Sequence, residues 1–165
     1  TGGKIDRKKQ ILPLIEACAS LSHVKLLIFG SVLSDVKERF DRLVEENDNV
    51  IYIGWINADD VYNYYFAADL VAFPGQHSVL WEQACAAKVP CLFGKWEGMD
   101  HVNNGGNSVL VEKVDSASLN QEIKSLLFTE KYKKMLQVAQ SDATDIYLYS
   151  HIAEKSLECL TENEA

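Results

Sequence analysis

The segment FPGQHSVLWEQACAAKVPC, residues 73–91, places a carboxylate beside a loop suited to binding an anion. Gly75 permits unusual backbone dihedral angles, and His77 or Ser78 can cap the helix that we predict to follow. Free N–H groups at the start of a helix carry the positive end of its dipole and attract phosphate. Glu82 lies about one turn into this helix, and its carboxylate has two interpretations. It stabilises the helix start by roughly 0.3–1 kcal/mol, or it accepts hydrogen bonds from a sugar diol, such as the ribose of a nucleotide.

A second candidate lies in GGKIDRKKQILPLIEA, where Lys4 and Lys9 are five residues apart. Two cations at this spacing could straddle a pyrophosphate and neutralise the charge that builds on a leaving diphosphate. The alternative is that both are surface lysines on a first helical turn, where the helix dipole makes a cation slightly unfavourable.

A third segment, residues 95–111, is rich in glycine and asparagine. This composition predicts a loop whose shape depends on backbone freedom, although a mobile connector explains it equally well. Trp96 in this segment and Trp55 further upstream look exposed, but the commoner fate of such a side chain is the edge of the core.

The histidines are scattered along the sequence without the spacing of metal ligands, so we predict no metal site. They are His23, His77, His101 and His151. The cysteines lie in apolar surroundings and form no C-x-x-C pair, which predicts buried, reduced thiols in a cytoplasmic protein. They are Cys18, Cys85, Cys91 and Cys159.

Composition limits the class of protein. The chain has 165 residues, of which 47% are hydrophobic and 24% charged, as in a folded domain rather than a disordered one. No apolar run approaches the roughly 18 residues that span a bilayer. The net charge of −8 argues against general nucleic-acid binding, which needs a basic surface. The chain begins with Thr1 rather than Met, and we expect it to be a piece of a longer protein.

Short apolar strands alternate with amphipathic helices along the chain. We predict strands at residues 24–29, 50–53, 70–73, 90–93 and 108–111. Helices are predicted in the segment that carries Glu82 and at residues 7–20, 35–46, 57–68, 116–128, 130–140 and 145–160. Pro13 inside the first of these helices predicts a kink or a late start. The alternation predicts one α/β domain, residues 1–165, built on a single doubly wound parallel sheet that is Rossmann-like.

Ligands of such sheets bind beyond the carboxyl ends of the strands, where the strand order reverses. We therefore expect any site to lie in the loops that follow the strands. These loops are residues 30–32, 54–56, 74–78 and 93–107.

Taken in order, these pieces resemble the carboxyl-terminal domain of GT-B-fold glycosyltransferases of group 1, a GT4-like family. WEQACAAKVPCL matches the family pattern L-E-A-M-A-x-G-x-P-V-V, and GGNSVLVEKVDSASLNQEI resembles N-G-x-L-V…D…L-A-x-A-I. Lys4 and Lys9 fall at the spacing of the G-R-x-x-x-x-K-G segment, with Lys4 in place of arginine and Gln10 in place of glycine. The resemblance covers almost the whole chain.

The resemblance implies a role for each candidate residue. Lys4 and Lys9 would neutralise the diphosphate of the donor, and Glu82 would hold its ribose diol. The backbone amides that cradle phosphate would be those of Gln76, His77, Ser78 and Val79. The residues that contact the nucleotide base would be Gly54, Trp55 and Ile56.

The implied function is donor binding in an enzyme that transfers a sugar from a nucleoside diphosphate sugar to an acceptor hydroxyl, in bacterial polysaccharide or glycolipid synthesis. The donor is the expected partner, and no cofactor or metal is implied. The amino-terminal acceptor domain would be missing, so we expect this chain to bind nucleotide without catalysing transfer. Membrane association, if any, would reside in the missing half.

One departure from the family leaves alternatives open. The family has E-x7-E, but Pro74 stands eight residues before Glu82, and the loop is several residues shorter than usual. Gln76, His77 or Ser78 would then contact the donor sugar, and the stereochemical outcome stays open. A non-catalytic nucleotide- or protein-binding module and a sugar-nucleotide epimerase remain alternatives.

Overall fold

The structure is a computed structural model that describes the backbone of residues 1–161 and the side chains of residues 1–157. Its strands are β1 (Gly2–Ile5), β2 (Leu26–Val32), β3 (Val50–Tyr52), β4 (Val71–Phe73), β5 (Cys91–Gly94) and β6 (Ser108–Val111). Its helices are α1 (Ile11–Ala19), α2 (Ser34–Glu45), α3 (Val61–Phe66), α4 (Leu80–Ala86), α5 (Ser116–Leu126), α6 (Glu130–Ala139) and α7 (Tyr149–Thr161). Short 3-10 turns occupy Arg7–Lys9, Ala58–Asp60, Asp100–Val102 and Asp142–Tyr147.

All described strand pairs are parallel, which confirms the predicted α/β class. Hydrogen bonding resolves the strands into two three-stranded sheets, in the orders β1-β2-β3 and β4-β5-β6. One core cluster nevertheless contains Ile5 and Ile28 from the first sheet together with Ala72 and Leu92 from the second. The predicted single sheet is therefore two short hydrogen-bonded ladders that share a core.

The first forty residues differ in detail from the prediction. β1 is a strand that the sequence did not indicate, and the predicted helix at residues 7–20 is a 3-10 turn followed by α1. Helix α1 begins at Ile11, so Pro13 lies in its first turn, where a missing N–H breaks no helical hydrogen bond. The late start that Pro13 predicts is confirmed.

A second core cluster fills the space around β4, β5 and α4. The rings of Trp81 and Phe93 stack there, with centroids 4.4 Å apart and planes within 9° of parallel. Cys18, Cys85 and Cys91 are buried and free, as predicted, whereas Cys159 lies outside the described side chains. No helix within residues 1–161 is both long and apolar enough to cross a bilayer.

Candidate functional site

The segments that follow β1 and β4 meet at the carboxyl edge of the two sheets. The backbone amide of Gln76 donates to the carbonyl of Lys8 at 2.8 Å. The Lys9 ammonium donates to the carbonyl oxygens of Gln76, at 2.7 Å, and His77, at 3.2 Å. Partial burial lowers the pKa of Lys9, against the opposing effect of the Asp6 carboxylate. The structure thus brings Lys9 to the predicted anion-binding loop.

Local sequence explains how Lys9 reaches this place. Asp6 Oδ1 accepts hydrogen bonds from the amides of Lys8, at 2.9 Å, and Lys9, at 3.1 Å, and so caps the 3-10 turn. Gln10 then adopts a left-handed conformation, with φ of 54°, which redirects the chain into α1. The turn therefore presents the Lys9 side chain to the loop after β4.

Lys4 is placed differently. It lies exposed on β1, opposite Ser31 in register. The preceding residue, Gly3, lies against Leu80 of α4, since a Cβ added to it would be 2.9 Å from Leu80 Cδ1. Among the described residues, the Lys9 side chain donates hydrogen bonds to the loop after β4, whereas the Lys4 side chain forms no hydrogen bond to it.

Glu82 lies between two histidines. Its Oε1 is 2.7 Å from Nε2 of His77 and 2.9 Å from Nε2 of His101. Its Oε2 is buried and has no hydrogen-bond partner within the described part of the chain. Burial acts to raise the pKa of Glu82, but the hydrogen bonds from His101 and His77 outweigh it, and the pKa falls below its ordinary value.

This convergence corrects the view that the histidines are scattered. The rings of His77 and His101 are 5.7 Å apart, although 24 positions separate them in the sequence. His101 comes from the loop between β5 and β6, where the Tyr147 hydroxyl donates to its carbonyl at 2.5 Å. Sequence reasoning missed His101, and the available signal was its position in a loop that follows a strand at the same edge as Glu82.

Some of the backbone groups in the predicted phosphate-binding loop, residues 76–79, form hydrogen bonds within the fold. The Gln76 amide donates a hydrogen bond to the Lys8 carbonyl, and the Ser78 carbonyl accepts one from the amide of Trp81 at 2.9 Å. Val79 is 58% exposed. The amides of residues 77–79 form no backbone hydrogen bond within the described residues and remain available to a ligand.

The predicted base-binding residues follow β3. Gly54 has φ of +76°, and its carbonyl accepts a hydrogen bond from the Gly30 amide at 2.7 Å. Ile56 is partly buried, and Trp55 is 73% exposed. The expectation that Trp55 lies at the edge of the core is therefore wrong, because its ring projects into solvent. Trp96 is also exposed, but its indole N–H donates to the Gly75 carbonyl at 2.9 Å.

Comparison with known proteins adds to this geometry. A family model described as glycosyl transferases group 1 matches residues 2–128. The comparison with curated protein sequences finds no match. Among solved structures, the chain is similar to Anabaena Alr3699/HepE in complex with UDP, with a TM-score of 0.76 and 22% identity over 98% of this chain and 48% of that one.

Two further structures share the fold. Sucrose-phosphate synthase from Thermosynechococcus elongatus has a TM-score of 0.77 and 21% identity, covering 98% of this chain and 44% of that one. The carboxyl-terminal domain of a glycosyl transferase group 1 family protein, LpcC, from Francisella tularensis has a TM-score of 0.71 and 21% identity, covering 88% and 82%. The chain spans about half the length of the first two structures.

Proposed function

The chain belongs to the glycosyl transferases group 1 family, and from this premise we propose that it is the donor-binding domain of a sugar transferase. The whole enzyme transfers a sugar from a nucleoside diphosphate sugar to an acceptor hydroxyl, in the cytoplasm and in the synthesis of a bacterial polysaccharide or glycolipid. One observation supports a nucleotide donor, since structures with this fold were solved with UDP and with UDP-glucose. The similar domain of LpcC is a carboxyl-terminal domain, which supports the proposed place of this chain within the whole enzyme.

The observation that carries the proposal is the contact between Lys9 and the loop after β4. An ammonium group has three N–H donors, and Lys9 uses two of them on the carbonyls of Gln76 and His77. One donor remains for a phosphate oxygen, beside the available amides of residues 77–79. A cation and free amides at one sheet edge form an anion site, and their charges can stabilise a leaving diphosphate.

The remaining roles follow from this position. Lys4, exposed on the neighbouring strand, supplies the second cation. Glu82 receives the ribose hydroxyls, which replace a histidine N–H at Oε1. The exposed Trp55 ring, between Gly54 and Ile56, stacks on the base, a contact worth about 1–3 kcal/mol in nucleic-acid complexes. The chain spans about half the length of two of the similar structures. We propose that a second domain binds the acceptor, and we expect the chain by itself to bind donor without turnover.

Calorimetric titration with UDP, GDP, ADP and their sugars tests the proposal. We expect saturable binding with a preference for one base. Lys9→Ala removes a charged hydrogen bond worth about 1.5–3 kcal/mol, which corresponds to a roughly 10–150-fold weaker Kd. Lys134→Ala, at an exposed position of α6, is the matched control and should bind as the unmodified chain does.

Inorganic pyrophosphate separates the two parts of the site. Glu82→Ala should weaken the nucleoside diphosphate but leave pyrophosphate binding unchanged, because only the former has a ribose. Lys9→Ala should weaken both. Binding of none of the nucleotides, or full affinity in Lys9→Ala, would refute the proposal, and sugar transfer by this chain alone would contradict the expected need for a second domain.

A further inference from the structure

Three side chains of metal-ligand type converge where the sequence predicts no metal. The ligand atoms of His77, Glu82 and His101 all lie within 4.8 Å of one another. We propose that this cluster binds a divalent transition-metal ion of the zinc class through the two Nε2 atoms and the Glu82 carboxylate. The inference goes beyond donor binding, which needs no metal in the mechanism proposed above.

The ligand set suits this class of ion. Two histidines and one glutamate form a known catalytic zinc set, with bonds of about 2.0–2.2 Å and a fourth position left to water or substrate. Bonds of that length in a tetrahedral site hold ligand atoms about 3.4 Å apart. Glu82 Oε1 is now 2.7 Å from His77 Nε2 and 2.9 Å from His101 Nε2. Side-chain rotations that lengthen these two distances by about 0.5–0.7 Å would therefore make room for the ion.

The carboxylate itself is incompletely satisfied by the histidines. Glu82 Oε2 is buried without a hydrogen-bond partner within the described part of the chain, while both histidines face Oε1. An unpaired buried oxygen costs about 1–3 kcal/mol, and more when it carries charge. A cation bound through both carboxylate oxygens would contact Oε2 as well as Oε1, whereas the hydrogen bonds from the two rings reach only Oε1.

The two histidine ligands are also held by the fold. The His77 ring packs edge-on against the buried Trp81 ring, with centroids 5.2 Å apart. The turn that carries His101 is fixed through its next residue, Val102, whose carbonyl accepts hydrogen bonds from Asn107, at 3.1 Å, and Ser108, at 3.2 Å. Ligands held before the ion arrives lose less conformational entropy on binding it.

The test uses the untagged chain, stripped with a chelator, and Zn²⁺ or Co²⁺ alone without nucleotide. We expect one equivalent of Zn²⁺ by calorimetry and the intense visible bands of tetrahedral Co²⁺. A thiolate-to-cobalt charge-transfer band should be absent, because the proposed ligands are His77, Glu82 and His101 and include no cysteine. Since no nucleotide is present, a failure to bind metal would refute the metal site without affecting the proposed donor site. A failure to bind nucleotide would refute the donor site without affecting the metal result.

Variants locate the ion. His101→Ala changes an exposed side chain, so it should fold normally while metal affinity falls by at least about 100-fold, since outer-shell changes alone cost about 10–100-fold. Glu82→Gln should do the same. His23→Ala, an exposed histidine outside the cluster, is the matched control and should bind fully. Absence of saturable binding, or unchanged binding in His101→Ala and Glu82→Gln, would overturn the proposal.

Discussion

Replacement of Gly75 by alanine tests whether the turn that carries Lys9 and the loop after β4 form one unit. A Cβ on Gly75 would lie 2.2 Å from the carbonyl carbon of Lys9 and 2.3 Å from the Lys8 oxygen. Ordinary contacts begin at 3.4 Å, so the two backbones must separate by about 1 Å. Overpacking of this kind costs typically about 1–3 kcal/mol. The shift also pulls the Gln76 amide from Lys8 and the Lys9 ammonium from the Gln76 carbonyl, now 2.8 Å and 2.7 Å apart.

We therefore expect Gly75→Ala to lower both the free energy of unfolding and nucleotide affinity. If the shift moves the Lys9 ammonium away from the phosphate, one charged hydrogen bond to the ligand is lost. Such a bond is worth about 1.5–3 kcal/mol, so the Kd rises roughly 10–150-fold. Urea denaturation and calorimetric titration with the preferred nucleotide measure the two effects. Ile123→Val, on the buried face of α5, is the control, since it should cost about 0.5–1.5 kcal/mol of stability and leave affinity unchanged. Full stability and full affinity in Gly75→Ala would show that the two segments move independently.

Two other predictions concern stability. Gln10→Gly should raise the free energy of unfolding by about 0.5–1 kcal/mol. The left-handed conformation of Gln10 costs about 1–2 kcal/mol, and glycine removes this cost but adds some chain entropy to the unfolded state. Thermal unfolding should therefore show a higher Tm, and a lower Tm would contradict this reasoning. The ammonium of Lys113 and the amide of Ser118 lower the pKa of Asp115 to about 2, so its contribution to stability is present above an unfolded pKa of about 4 and is lost as the pH falls toward 2. Asp115→Asn should flatten the loss of stability across that pH range in acid titrations followed by circular dichroism, and an unchanged slope would rule this out.

The periodicity of apolar residues predicted most of the fold, because that periodicity reflects which side chains of each element are buried. The five expected strands all occur, since each is a short apolar run that the core must cover. β1 was missed because its residues, GGKI, include two glycines and a lysine and carry no apolar period. It exists because it pairs with β2, a tertiary contact that no local pattern shows.

The site was less accessible to sequence reasoning. The family resemblance placed Lys9 and the loop after β4 in one pocket, and the Lys9 ammonium does contact that loop. The role of either in donor binding stays a prediction. No such resemblance marked His101, because its approach to Glu82 depends on how the loop from β5 to β6 folds across the sheet edge. Trp55 was misjudged because average burial of tryptophan says nothing about a loop that faces solvent.

The short loop after β4 connects the two proposals. The family pattern places a carboxylate where this chain has Pro74, which is buried and whose carbonyl lies against Gly94. That position therefore supplies no polar side chain. The imidazoles of His77 and His101 instead form hydrogen bonds with the remaining carboxylate, that of Glu82. Because Oε1 cannot accept ribose hydroxyls and bind an ion at the same time, bound metal should weaken nucleoside diphosphate binding more than pyrophosphate binding. Equal weakening of both by Zn²⁺ would place the ion on the phosphate side, next to Lys9, rather than on Glu82.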